Sequence, residues 1–69
     1  MPRKIRQLIA DLKKAGFVNR GGKGSHRNFE DDKGNRVTIA GKEGADAQPY
    51  QEREVRQNIE RSKHPHEQS

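Results

Sequence analysis

The chain has 69 residues and no cysteine, so we expect one small domain without disulfides or thiolate metal sites. No apolar run approaches membrane-spanning length, and Met1-Pro2-Arg3-Lys4 has no apolar segment behind it to make a signal peptide, which favours a soluble cytoplasmic protein. The net charge of +5 is uneven, because residues 1–29 hold eight basic residues and one acidic residue. This asymmetry favours nucleic acid as a partner.

The first predicted element is an amphipathic helix over residues 3–15. Its apolar residues recur at helical spacing: Ile5, Leu8, Ile9 and Leu12. Gly16 follows in the position of a left-handed helix stop. Only eleven residues of the whole chain are Leu, Ile, Val or Phe, so we expect a thin core and marginal stability.

Three short strands are predicted next, over residues 17–20, 25–30 and 36–40. A glycine-rich turn separates the first two, and Asp31-Asp32-Lys33-Gly34-Asn35 separates the second from the third. Links this short favour an antiparallel meander, followed by a polar loop over residues 41–47.

A second helix is predicted from Pro49 to about Arg61, with Val55 and Ile59 as its only strong apolar pair. The predicted fold class is therefore α+β, in the order α-β-β-β-α, with two helices on one face of a three-stranded antiparallel sheet. We expect one domain over residues 1–62 and a disordered tail over residues 63–69.

The alternation of side chains along a strand assigns the predicted sheet faces. If Phe29 points into the core, His26 and Asn28 point to the open face, and Arg27 points toward the core side and must reach round an edge. With Val37 and Ile39 inward on the third strand, Arg36 and Thr38 face outward. The expected neighbours of His26 are thus Asn28, Thr38 and Arg36.

The stretch Gly22-Lys23-Gly24-Ser25-His26-Arg27 holds the residues best suited to chemistry. Histidine can take and return a proton near neutral pH. The flanking cations suit an anionic substrate such as a phosphodiester. The glycines are explained by turn geometry, and their backbone N–H groups can also face a phosphate.

The sequence resembles the HicA (YcfA-like) toxin family of bacterial toxin–antitoxin systems from about Ile5 to Ile59. Three stretches carry the resemblance: Leu12-Lys13-Lys14-Ala15-Gly16-Phe17, Gly22-Lys23-Gly24-Ser25-His26-Arg27-Asn28-Phe29 and Gly34-Asn35-Arg36-Val37-Thr38-Ile39. The resemblance implies a fold related to double-stranded RNA-binding domains and a small ribonuclease that cleaves mRNA. It also implies a HicB-type antitoxin that covers the active-site histidine.

On this interpretation His26 is the catalytic residue, and Gly24 lets the backbone approach the RNA. The predicted RNA-binding residues are Lys23, Gly24, Ser25, Arg27 and Arg36. No metal and no cofactor are expected, since Asp31 and Asp32 are better explained as turn formers. We assign no role to His64 and His66.

Two other functions remain open from the residues alone. One is a non-catalytic RNA-binding module of the same fold, although Gln48-Pro49-Tyr50-Gln51-Glu52 lacks the lysine cluster that such domains use on duplex RNA. The other is a protein-interaction domain that has lost nuclease activity and docks an acidic partner on its basic face.

Overall fold

Helix α1 (Ile5–Lys14) opens the part of the chain that the computed structural model describes, which is residues 3–63. Its four predicted apolar side chains are buried, and its first N–H groups are capped by the loop before the second helix. Ile5 and Arg6 donate to the carbonyls of Ala45 and Glu43 at 2.9 and 3.1 Å. The 41–47 loop is therefore tied to the start of α1.

The C-terminal end of α1 is closed by Gly16, whose φ is +98°. The N–H groups of Gly16 and Phe17 donate back to the carbonyls of Lys13 and Leu12, the double closure typical of a Schellman motif. Phe17 thus turns into the core beside Leu12. Because Phe17 completes this cap, the first strand begins one residue later than predicted.

Three strands follow, β1 (Val18–Gly21), β2 (His26–Glu30) and β3 (Arg36–Ala40), in an antiparallel sheet of order β1-β2-β3. The β1–β2 register shifts at a bulge between Asn19 and Gly21, whereas β2 and β3 pair without irregularity. Strand β2 starts at His26, because Ser25 belongs to the preceding turn.

The core lies between one face of the sheet and the two helices. On that face Phe29 lies opposite Val37 and Arg27 lies opposite Ile39. Phe29, Val37 and Ile39 are at most 5 % exposed. They pack in one cluster with the apolar stripe of α1 and with Phe17, Ala47 and Val55. This confirms the predicted α+β fold, its element order and its thin core.

Helix α2 (Pro49–Lys63) runs two residues further than the sequence predicted. Its buried positions are mostly polar: Gln51, Val55, Asn58 and Ser62. The helix thus includes Lys63, the first residue of the predicted tail. The rest of the predicted tail, 64–69, lies outside the described residues.

Polar contacts dock α2 at both ends of β3. Gln51 Nε2 donates to the carbonyl of Ala40 at 2.8 Å, where β3 ends. Near the other end the buried Ser62 of α2 lies close enough to the carboxylate of Asp31 to help lower the pKa of that carboxyl. In the described part of the chain no helix has the length and apolar character needed to cross a membrane.

Candidate active site

His26 stands exposed at the first position of β2, on the open face of the sheet. Its N–H donates to the carbonyl of Lys23 at 2.9 Å, and its strand partner is Ala40. The turn over residues 23–26 has Gly24 at its second position with φ +58°, a conformation that glycine adopts without strain. The backbone of His26 is therefore held from both sides.

Gly22 adds a third constraint on His26. A Cβ built on Gly22 would overlap the carbonyl oxygen of His26 and lie 2.9 Å from its carbonyl carbon. Only a residue without a side chain allows this approach of the two backbones. The sequence indicated turn geometry and phosphate contacts as the reasons for these glycines, and it did not show this contact.

Lys23 and Ser25 are exposed in the same turn as His26. Lys23 forms no ion pair with any residue between positions 3 and 63. A Cβ on Gly24 would meet nothing within 4 Å, so solvent surrounds this corner of the turn. The three residues thus leave open space and one uncommitted cation beside His26.

Arg27 points to the core side, as strand parity predicted, and passes the end of β3. Its Nη1 donates to the carbonyls of Gly41 and Ser25 at 3.0 and 3.4 Å, and its Nη2 lies 3.9 Å from Glu43 Oε2. The side chain is only 23 % exposed. Its guanidinium therefore links the 41–47 loop to the turn of His26 instead of facing the open side.

Asn28 and Thr38 form a polar ladder across the open face next to His26. The amide of Asn28 donates to the carbonyl of Gly21 at 2.9 Å, and the hydroxyl of Thr38 donates to Asn28 Oδ1 at 2.7 Å. One side chain thereby connects all three strands. The sequence placed both residues on this face but assigned them no function.

Arg36 does not lie beside His26. It is opposite Glu30 at the far end of the sheet, four residues along β2 from His26 and so roughly 13 Å away. Glu30 lies 3.8 Å from Arg36 Nε and 3.9 Å from Arg20 Nε. The expectation that Arg36 neighbours His26 was wrong because antiparallel pairing matches residue 26 with residue 40.

A groove runs along the β3 edge of the sheet beside α2, and we call it the β3–α2 groove. It has a volume of about 650 Å³. Its sheet side carries Asn28, Arg36 and Thr38, and its helix side carries Glu54, Gln57 and Arg61. In the sequence, the helix side is marked only by polar residues at i, i+3 and i+7, a spacing that any solvent-exposed polar helix shares.

Asp31 is a turn former, as the sequence predicted. Its carboxylate accepts from the N–H groups of Lys33 and Asn35 and from Asn35 Nδ2 at 2.8–2.9 Å. Burial by itself raises the pKa of this carboxyl, but the hydrogen bonds from Asn35, Ser62 and Lys33 outweigh it and hold the pKa below its ordinary 3.8. The carboxylate of Asp31 thus has a structural role in this turn.

Candidate metal ligands are not clustered in the region that the structure describes. Between residues 3 and 63 no three side chains of His, Cys, Asp or Glu are grouped so that they could hold a metal ion.

A family model described as HicA toxin of bacterial toxin-antitoxin matches residues 5–61, from the start of α1 almost to the end of α2. A search of curated proteins found no match.

Proposed function

The chain belongs to the HicA toxin family of bacterial toxin–antitoxin systems, and from this membership we propose that it is an endoribonuclease that cleaves mRNA through His26. The observation that carries the proposal is the placement of His26. It is the one histidine within residues 3–63, it is exposed on the open face, and its backbone is held by Lys23, Ala40 and Gly22.

The proposed reaction is an internal transesterification. His26 removes the proton of a ribose 2′-OH, and the 2′ oxygen attacks the neighbouring phosphorus. The bond from phosphorus to the 5′ oxygen breaks, that oxygen takes a proton from water, and the products are a 2′,3′-cyclic phosphate and a 5′-OH. A positioned base contributes roughly 10²–10⁴-fold to such a step.

The turn before His26 supplies the phosphate contacts in this proposal. Lys23 is uncommitted within the described residues and stabilises the negative charge that develops on the phosphate. Ser25 donates its hydroxyl, and Gly24 leaves room for the RNA backbone. Arg27 acts indirectly, since its bonds to Gly41 and Ser25 hold the turn in place.

The natural inhibitor is proposed to be a HicB-type antitoxin that covers His26 on the open face. Toxin and antitoxin meet in the cytoplasm, where mRNA is available. Binding to the folded toxin would also stabilise it, which suits a chain with so thin a core.

The test is RNA cleavage in EDTA by the wild type, His26→Ala and the matched control His64→Ala, followed by end-group analysis. We expect the wild type and His64→Ala to leave cyclic phosphate ends and His26→Ala to leave the RNA intact. Because His26 is exposed, the free energy of unfolding of His26→Ala should differ from that of the wild type by no more than about 0.5 kcal/mol.

Three results would contradict the proposal. Cleavage by His26→Ala at the wild-type rate would remove His26 from the chemistry. RNA bound but uncut by all three proteins would favour a non-catalytic RNA-binding module. Neither binding nor cutting would favour a protein-interaction domain.

A further inference from the structure

We infer that the β3–α2 groove is a nucleotide subsite of the same active site, where single-stranded RNA places a nucleotide close to the phosphodiester that is cut. The inference rests on the proposed function, because it names substrate contacts beyond His26. It gives the polar face of α2 a role in holding the RNA.

The size of the groove fits one nucleotide. Its volume is about 650 Å³, and pockets of roughly 300–1,000 Å³ hold ligands the size of a nucleotide. Residues of β2 and β3 line one part of it and residues of α2 the other, so a bound nucleotide would contact both the sheet and the helix. A strand surface alone would offer contacts from one element only.

The lining supplies both kinds of contact that a nucleotide needs. Arg36 of β3 and Arg61 of α2 both line the groove and provide guanidinium donors for phosphate. Gln57 is exposed and makes no side-chain hydrogen bond within residues 3–63, so its amide can donate to and accept from a base edge. Glu54 adds an acceptor for an exocyclic amine on the same helix face.

The groove is continuous with His26 along the open face. His26 and Asn28 are alternate residues of β2, roughly 7 Å apart on one side of the sheet. Asn28 is bonded to Thr38, and both line the groove. Neighbouring nucleotides of one strand can therefore occupy the groove and the face of His26 together.

The chemistry of the groove favours single-stranded over duplex RNA. Duplex RNA is bound through shape, phosphates and 2′-hydroxyls across successive grooves, whereas a single strand presents unpaired bases for hydrogen bonding. The amides of Gln57 and Asn28 suit an unpaired base. The neighbouring arginines suit the phosphate backbone of the RNA, as basic residues do in other sites that bind single-stranded nucleic acid.

The test measures binding of a labelled single-stranded RNA in the uncleaving His26→Ala background. Arg61→Gln is compared with Arg56→Gln, which removes the same charge from the side of α2 that faces α1. For Arg61→Gln we expect the Kd to rise about tenfold. We also expect the slope of log K against log salt to fall by about 0.7. Arg56→Gln should change neither.

A second measurement uses cleavage by otherwise wild-type protein. Gln57→Ala should alter which base is preferred next to the cut, because its amide reads that base. Arg61→Gln should lower the cleavage rate at limiting enzyme more than Arg56→Gln does.

The outcomes separate this inference from the proposed function. Cleavage by the wild type with equal behaviour of Arg61→Gln and Arg56→Gln would overturn the subsite and leave the nuclease in place. Groove-dependent binding without any cleavage would support the subsite and refute the nuclease. Equal competition by duplex RNA would overturn the subsite. So would an Arg61→Gln variant that binds RNA normally but escapes its antitoxin, since the groove would then be a protein interface.

Discussion

Gly22→Ala is the sharpest test of how the fold positions His26. The new Cβ would lie 2.9 Å from the His26 carbonyl carbon and 3.3 Å from Arg27 Cα, with the His26 carbonyl oxygen nearer still. Non-bonded carbon atoms prefer about 3.5–4.0 Å, so the two backbone segments must separate by about 1 Å. Displacement of a catalytic group by that distance costs roughly 10²-fold in rate.

Gly44→Ala is the matched control for this prediction. A Cβ at Gly44 meets nothing within 4 Å, and neither Gly22 nor Gly44 has a positive φ. Alanine is therefore compatible with the backbone at both positions, and only the contact with His26 distinguishes them. Gly44→Ala should cleave RNA at the wild-type rate.

The assay is the single-turnover rate of RNA cleavage, measured below the melting temperature of every variant as judged by circular dichroism. The NMR chemical shifts of the His26 ring should differ from those of the wild type in Gly22→Ala and be unchanged in Gly44→Ala. A Gly22→Ala variant that cleaves as fast as Gly44→Ala would refute the reasoning that backbone contact holds His26 in place for its proposed catalytic role.

Two further predictions concern stability. Hydrogen bonds lower the pKa of Asp31 in the folded state. The stabilisation that its carboxylate gives to the fold is therefore present above pH 3.8 and is lost as the pH falls through the pKa of the folded state. Asp31→Asn should therefore have a lower free energy of unfolding than the wild type at pH 7 and should lose less of it as the pH falls. The measurement is urea unfolding at a series of pH values. The exposed control Asp32→Asn should follow the wild type at each pH. Gln51→Ala leaves the Ala40 carbonyl and the Gln48 N–H without their partners, so it should cost about 1–3 kcal/mol. The exposed Gln57→Ala should change the thermal midpoint little, and equal midpoints for the two variants would contradict the docking role of Gln51.

The open face illustrates how far strand alternation carries a prediction. Alternation alone places His26, Asn28 and Thr38 on one side of the sheet and Arg27 on the other, and the structure agrees. It does not give the strand register, so Arg36 was placed beside His26 when it is opposite Glu30. Register depends on the length and geometry of the turn at Asp31, which involves Asn35 and the distant Ser62.

The chain by itself determined the local elements, because their causes are local. The spacing of apolar residues in α1, the stop at Gly16, the turn residues between strands and the motif around His26 are all visible in sequence. These specify the α-β-β-β-α order and the family.

Only the tertiary structure decided what surrounds the histidine. The approach of Gly22 to His26, the contact of Arg27 with Gly41, the docking of Gln51 on Ala40 and the groove beside Arg61 join residues brought together by chain folding. Polar side chains have no periodic signature for such contacts, because a hydrogen bond depends on the position of both partners in space. Candidate site residues could therefore be named from the chain, whereas their arrangement in space could not.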